Sequence, residues 1–218
     1  MTFILCNHLS FGQNKWTYTG NHHTFIVTVD TVLCGGTTGD YCPTVTAIHI
    51  YNLIDKKLIE TILPGQFLFD TFLDSTTVFA VEDMNFDGTT DIRLLNWTST
   101  NLQTTYLYWF YNETTGQFLS DTTLVELINP TFNTKTKTIH TWWRDGFYSY
   151  GHAIYEWHDN KIKLIAEEEE SWGIDPNSTG IRTIRRSKNG KINIQEIEVK
   201  EHKLDYMHKP DECKLHKE

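Results

Sequence analysis

Apolar and polar residues alternate with a period of two in segment after segment of this chain. The runs HTFIVTVDTVLC (23–34), TVTAIHIYNL (44–53), DIRLLNW (91–97), TTYLYWFYN (104–112), KTIHTWWR (137–144), HAIYEWHD (152–159) and KINIQEIEVK (191–200) are rich in β-branched and aromatic residues. A period of two sends successive side chains to opposite faces of a pleated strand, whereas a helix needs apolar residues three and four apart. Aromatic residues make up 13% of the sequence, and with the abundant threonines they suit a half-buried pleated surface. One segment, TTLVELIN (122–129), has spacing compatible with a helical turn or two. The expected fold class is all-β.

Four segments share a common hairpin grammar: IYNLIDKKLIETI, YWFYNETTGQFLSD, IYEWHDNKIKLIAEE and IRRSKNGKINIQEI. Each has an apolar or aromatic strand, a polar turn (at Asp55, Asn112, Asp159 or Lys188-Asn189-Gly190), then Lys or Gln leading into a second strand. Antiparallel hairpin repeats of this kind point to a small β-propeller or a propeller-like meander, with a β-sandwich as the alternative. No linker divides residues 14–200, which read as one all-β domain followed by a charged tail at 201–218.

Within this pattern, DMNFDGTTD (83–91) places an oxygen-bearing side chain at every second position and then a glycine. Asp83, Asn85 and Asp87 fall at loop positions one, three and five, the Thr89 carbonyl at seven and Asp91 at nine. Gly88 at six permits the sharp turn that brings them round one ion. Calcium seeks six to eight hard oxygen ligands, and three carboxylates this close repel one another without a cation. An EF-hand would need a bidentate Glu at position twelve and helices on both sides. Here position twelve is Leu94 and the flanks TTVFAVE and DIRLLNW read as strands. The expected ion is therefore a structural Ca2+ in a strand-to-strand loop.

The formal net charge of −9 argues against a nucleic-acid partner, whose phosphates require a basic face. No apolar run is long enough to span a membrane. Cys34 and Cys42 bracket the turn GGTTGDY and are placed to close a disulfide, which implies an oxidising compartment; two unpaired buried thiols are the alternative. Residues 1–13 read as the end of a secretory signal peptide, unless Phe3 to Leu5 begin a strand. Export to the periplasm or beyond is the expected localisation.

The run from Val81 to Glu170 contains DMNFDGTTDIRLLNW, TTYLYWFYNETTGQF, INPTFNTKTKTIHTWWRDG and YEWHDNKIKLIAEEE. It resembles the periplasmic calcium-binding β-propeller proteins that inhibit lysozyme-type peptidoglycan hydrolases, including immunity proteins against secretion-system effectors. The resemblance implies a non-enzymatic, exported, calcium-bound inhibitor whose partner is a lysozyme-like effector. Inhibition in that family works by a loop placed in the hydrolase cleft. RDGFYSYGH (144–152) is the best candidate here, offering Arg144, Asp145, Tyr148, Tyr150 and His152, because Arg and aromatic side chains are the usual interface anchors. The alternative is that Trp142, Phe147 and Tyr150 belong to the core or its rim.

Other constellations carry less. Glu167 to Glu170 cannot form a facing catalytic pair on a strand, since neighbours alternate faces; a solvated acidic edge is expected. Trp142, Trp143, Trp157 and Trp172 would stack sugars if the protein were instead a carbohydrate or cell-surface binding module. No serine-hydrolase, phosphate-loop or dinucleotide motif occurs.

Overall fold

The computed structural model describes residues 14–33, 41–65, 69, 73–99, 103–146, 148–172, 179–188 and 191–199. The protein is all-β: the described residues form three antiparallel sheets and one four-residue helix, α1 (Ser75–Val78). It divides into two compact units: one holds residues 1–98 and 104–125, the other 99–103 and 126–218. No helix among the described residues is long and apolar enough to cross a membrane. The signal-peptide segment 1–13, Cys34 and the tail 201–218 lie outside the described residues. Cys42 is disulfide-bonded.

In the first unit, β1 (Asn14–Thr19), β2 (His23–Leu33), β3 (Tyr41–Asn52) and β4 (Leu58–Ile62) form one up-and-down sheet. A second is built from β5 (Phe79–Glu82), β6 (Asp91–Thr98), β7 (Thr104–Asn112) and β8 (Gln117–Asp121). Alternation in β2 buries Phe25, Val27 and Val29, and in β3 it buries Val45, Ile48 and Ile50. A bulge opposite Thr28 and Val29 leaves Thr46 as the extra residue, and its hydroxyl returns to the Thr28 carbonyl at 3.3 Å. The two sheets meet through rings: Tyr18 on Phe79 at 4.9 Å, Phe25 on Phe118 at 5.6 Å and His23 on Tyr111 at 4.7 Å. Such tilted aromatic pairs add stability beyond their buried area.

The second unit is a six-stranded meander: β9 (Thr131–Asn133), β10 (Thr138–Asp145), β11 (Ser149–His158), β12 (Lys161–Ser171), β13 (Gly180–Lys188) and β14 (Lys191–Val199). All four hairpins read from the sequence form. The β11–β12 turn consists of Asp159 and Asn160 alone, both left-handed at φ 50° and 58°, which matches the twist of the flanking strands.

Three other turns share a device. Asn52, Asn112 and Asn133 end β3, β7 and β9, and each side-chain oxygen accepts from backbone N–H groups two or three residues on. Four residues after each Asn the backbone is left-handed, at Lys56, Gly116 and Lys137. Residues 122–129, the one segment with helical spacing, instead make a turn at 123–126. Asp121 caps that turn by accepting from the Thr123 N–H at 2.6 Å, and a left-handed Asn129 (φ 49°) followed by Pro130 stops any helix.

Candidate metal centre

The segment 83–91 joins β5 to β6, so both flanks are strands, as the sequence predicts. Its alternation has two halves. Met84 and Phe86 are buried and anchor the loop in the core, while Asp83, Asn85 and Asp87 carry their oxygens on the other side. Left-handed backbone at Phe86 (φ 62°) and Gly88 (φ 91°) curls the chain round those oxygens.

Each of these side chains has a backbone partner. Asp83 accepts from the Asp87 and Gly88 N–H groups at 3.1 Å each, and Asn85 from the Asp87 N–H at 3.0 Å. Asp87 accepts from the Thr89 N–H at 2.7 Å and hydroxyl at 2.5 Å, and from the Asn85 amide at 2.9 Å. Asp91, wholly buried, reaches furthest. One oxygen accepts from Met84 (3.0 Å) and Asn85 (3.4 Å), and the other from the Tyr111 N–H of β7 at 3.0 Å. Burial pushes the Asp91 carboxyl up to about 7 against the pull of those amides. Burial likewise raises that of Asp83, reinforced by the Asp87 charge and opposed by the loop amides.

Two observations bear on whether calcium fits. The donors are all hard oxygens on one tight turn, and among the described residues no Lys or Arg pairs with Asp83, Asp87 or Asp91. Carboxylates drawn out of water without a cation are costly, so the donor set suits a divalent ion. Against this, no group of three or more His, Cys, Asp or Glu side chains among the described residues converges as a metal cage. The carboxylates face the loop amides, and an ion would have to share those oxygens with the backbone. The chemistry fits; Asp83, Asn85, Asp87, the Thr89 carbonyl and Asp91 are the residues that would hold calcium.

The residues expected to bind a partner divide between turn and strand. Arg144 and Asp145 end β10, and the Arg144 Nε donates to the Gly146 carbonyl at 2.6 Å across the turn. Gln103 also donates to the Arg144 carbonyl. Tyr148 is 46% exposed on the turn; Phe147 lies outside the described residues. Tyr150 and His152 instead sit within β11, half-buried. Burial first, then a hydrogen bond to Glu170, raises the Tyr150 phenol above its usual range. Burial lowers the His152 imidazole, and its Nε2 has no hydrogen-bond partner among the described residues.

Glu167 to Glu170 are not a solvated edge. The alternation holds, but β13 supplies arginines on both faces: Arg185 pairs with Glu167 at 2.6 Å and Glu169 at 3.5 Å, and Arg182 with Glu168 at 3.3 Å and Glu170 at 2.7 Å. Glu170 is 2% exposed and also accepts the Trp172 indole N–H at 2.7 Å. Burial pushes its carboxyl up, yet the bonds from Tyr150, Arg182 and Trp172 outweigh that and hold it below the usual range. The sequence signal was available in IRTIRRSK (181–188), where Arg182 and Arg185, three apart on a strand, fall on opposite faces, one for each pair of glutamates.

The four tryptophans are not gathered on one face. Trp142 and Trp143 are neighbours on β10 and so face opposite ways. Trp143 lies over Gly151 and Trp172 over Gly180, where a Cβ on either glycine would collide with the ring.

No protein-family model matches the chain, and a search of curated proteins returns no match. Among solved structures it is similar to that of a Xanthomonas type IV secretion system related protein, with a TM-score of 0.62 and 16% identity. The match covers 88% of this chain and 98% of that one, and at this identity it shows a shared fold.

Proposed function

We propose that this is an exported, calcium-stabilised, non-enzymatic binding protein of the immunity type, which inhibits a lysozyme-like peptidoglycan hydrolase. The observation that carries the reading is the strand-flanked loop 83–91, with apolar anchors on one side and, on the other, carboxylates that no Lys or Arg among the described residues neutralises. The secretion-related fold neighbour and the resemblance of residues 81–170 to hydrolase inhibitors support the same setting. In this reading the antiparallel meanders are the blade-like repeats of a propeller-type fold. Cys42 pairs with Cys34 in the oxidising periplasm. The β10–β11 turn, with Arg144, Asp145 and Tyr148 at its tip, is the inhibitory element, while Tyr150 and His152 support it from the strand.

The test is a turbidity assay on cell walls with a lysozyme-like hydrolase, the purified protein and either calcium or a chelator. Inhibition at near-stoichiometric ratio, weakened by Tyr148→Ala with the unfolding temperature unchanged, is the expected result. Full hydrolase activity at a large excess of the calcium-loaded protein contradicts it.

A further inference from the structure

Loop 83–91 is gripped from outside as well as from within. The turn between β1 and β2 lies against its second half: the Asn21 backbone N–H donates to the Thr90 hydroxyl at 3.1 Å, and the Asn21 side-chain amide donates to the Gly88 carbonyl at 3.3 Å. Gly20 makes this approach possible. A Cβ there would stand 2.7 Å from the Thr90 methyl and 3.1 Å from its hydroxyl, closer than a β-branched neighbour can give way. The turn itself is closed by the Gly20 N–H on the His23 carbonyl at 2.9 Å, so Asn21 is presented from a fixed support.

Gly88 is the freest link in the loop. It has no side chain, a left-handed φ of 91° and open space around it, and its peptide leads directly into Thr89, whose carbonyl is the one backbone oxygen offered to the ion. Whatever fixes the Gly88–Thr89 peptide therefore narrows where that donor, one peptide further on, can lie. We propose that Asn21 is the positioning residue for the metal loop. By holding the Gly88 carbonyl it sets the calcium affinity, and calcium in turn stiffens the β1–β2 turn, because coupling between two sites is reciprocal. Groups that orient metal ligands from behind commonly change affinity by about 10–100-fold when removed. This inference rests on the calcium reading above.

Calorimetric titration of the full chain with calcium chloride tests it. Asn21→Ala removes the bond to Gly88 but keeps the backbone bond to Thr90. It should weaken calcium binding about tenfold while leaving the calcium-free unfolding temperature unchanged. Gly20→Ala, which wedges the turn off Thr90, should act in the same direction. In the unaltered protein, calcium should slow hydrogen exchange at the Asn21 amide, a measurement that does not depend on either variant folding. Equal affinity in Asn21→Ala and the unaltered protein, or an Asn21 amide indifferent to calcium, overturns the proposal. Absence of any binding to the unaltered protein overturns the calcium reading itself, and this inference with it.

Discussion

Asp91 occupies the position where the loop pattern places its last acidic donor, yet its two oxygens already hold three backbone N–H groups, one of them on β7. Spacing alone identifies Asp83, Asn85, Asp87 and Asp91 as one turn's worth of oxygens. It does not reveal that Asp91 also ties the loop to a neighbouring strand, because that bond spans 20 residues of sequence. His23 is a second residue whose role the sequence conceals. It is buried among Phe25, Tyr111 and Phe118, rings that come from three different strands. Burial, and then the neighbouring His22, lowers its pKa below the ordinary 6.5. The unfolded chain thus takes up a proton that the folded chain resists. The contribution of neutral His23 to stability is present above about 6.5 and is lost as pH falls below it. Chemical denaturation from pH 7 to pH 5 should show the unaltered protein losing stability relative to His23→Phe; parallel curves would remove His23 from the account.

At the scale of elements, the strands were legible because alternation and β-branching act locally, and the four shared hairpins followed from their polar turns. The turn chemistry was less visible. Asn52, Asn112 and Asn133 each initiate a turn that ends in a left-handed residue, but only Gly116 announces that conformation by its identity. Left-handed backbone costs an L-residue roughly 1–2 kcal/mol. Gly116→Ala, with open space around the new Cβ, should therefore lose about 1 kcal/mol, and Lys137→Gly should gain up to about 1 kcal/mol after the entropy cost of glycine. Denaturant midpoints check both; an unaffected Gly116→Ala would mean that the turn relaxes. The β12–β13 ladder was misread because a run of four glutamates looks solvated until its partner strand is known. Removing one member of a buried ion pair typically costs about 3–5 kcal/mol. Glu170→Ala should thus destabilise by about 3 kcal/mol, since it takes from Arg182 and Trp172 an acceptor they share; a change below about 1 kcal/mol would mark the pair as dispensable. The segment 122–129 failed as a helix for the opposite reason: Leu124 and Leu127 have helical spacing and are buried, but Asp121 and Asn129 commit the backbone to turns.

At the scale of the molecule, local pattern gave the fold class and the placement of the oxygen-rich loop 83–91 between strands. The division into two compact units was not legible, because no Pro- or Gly-rich linker marks it and the chain passes from β8 to β9 through a short, turn-rich connection. The turn proposed to bind a partner was legible as a turn but not in extent: pairing of Tyr150 with Glu170 and of His152 with Glu168 draws both into the sheet. What unites the account is the proposal that loop 83–91 is a calcium staple in the first unit. An ion that binds only the folded state at a hundred times its Kd adds about 2.7 kcal/mol, roughly 5–10 °C for a chain of this size. Calorimetric unfolding of the full chain, first stripped with chelator and then reloaded with calcium, measures this directly. The account expects the transition of the first unit to rise by roughly that amount with calcium, and the rise to vanish in Asp83→Asn/Asp87→Asn. Superimposable chelated and calcium-loaded transitions would contradict it.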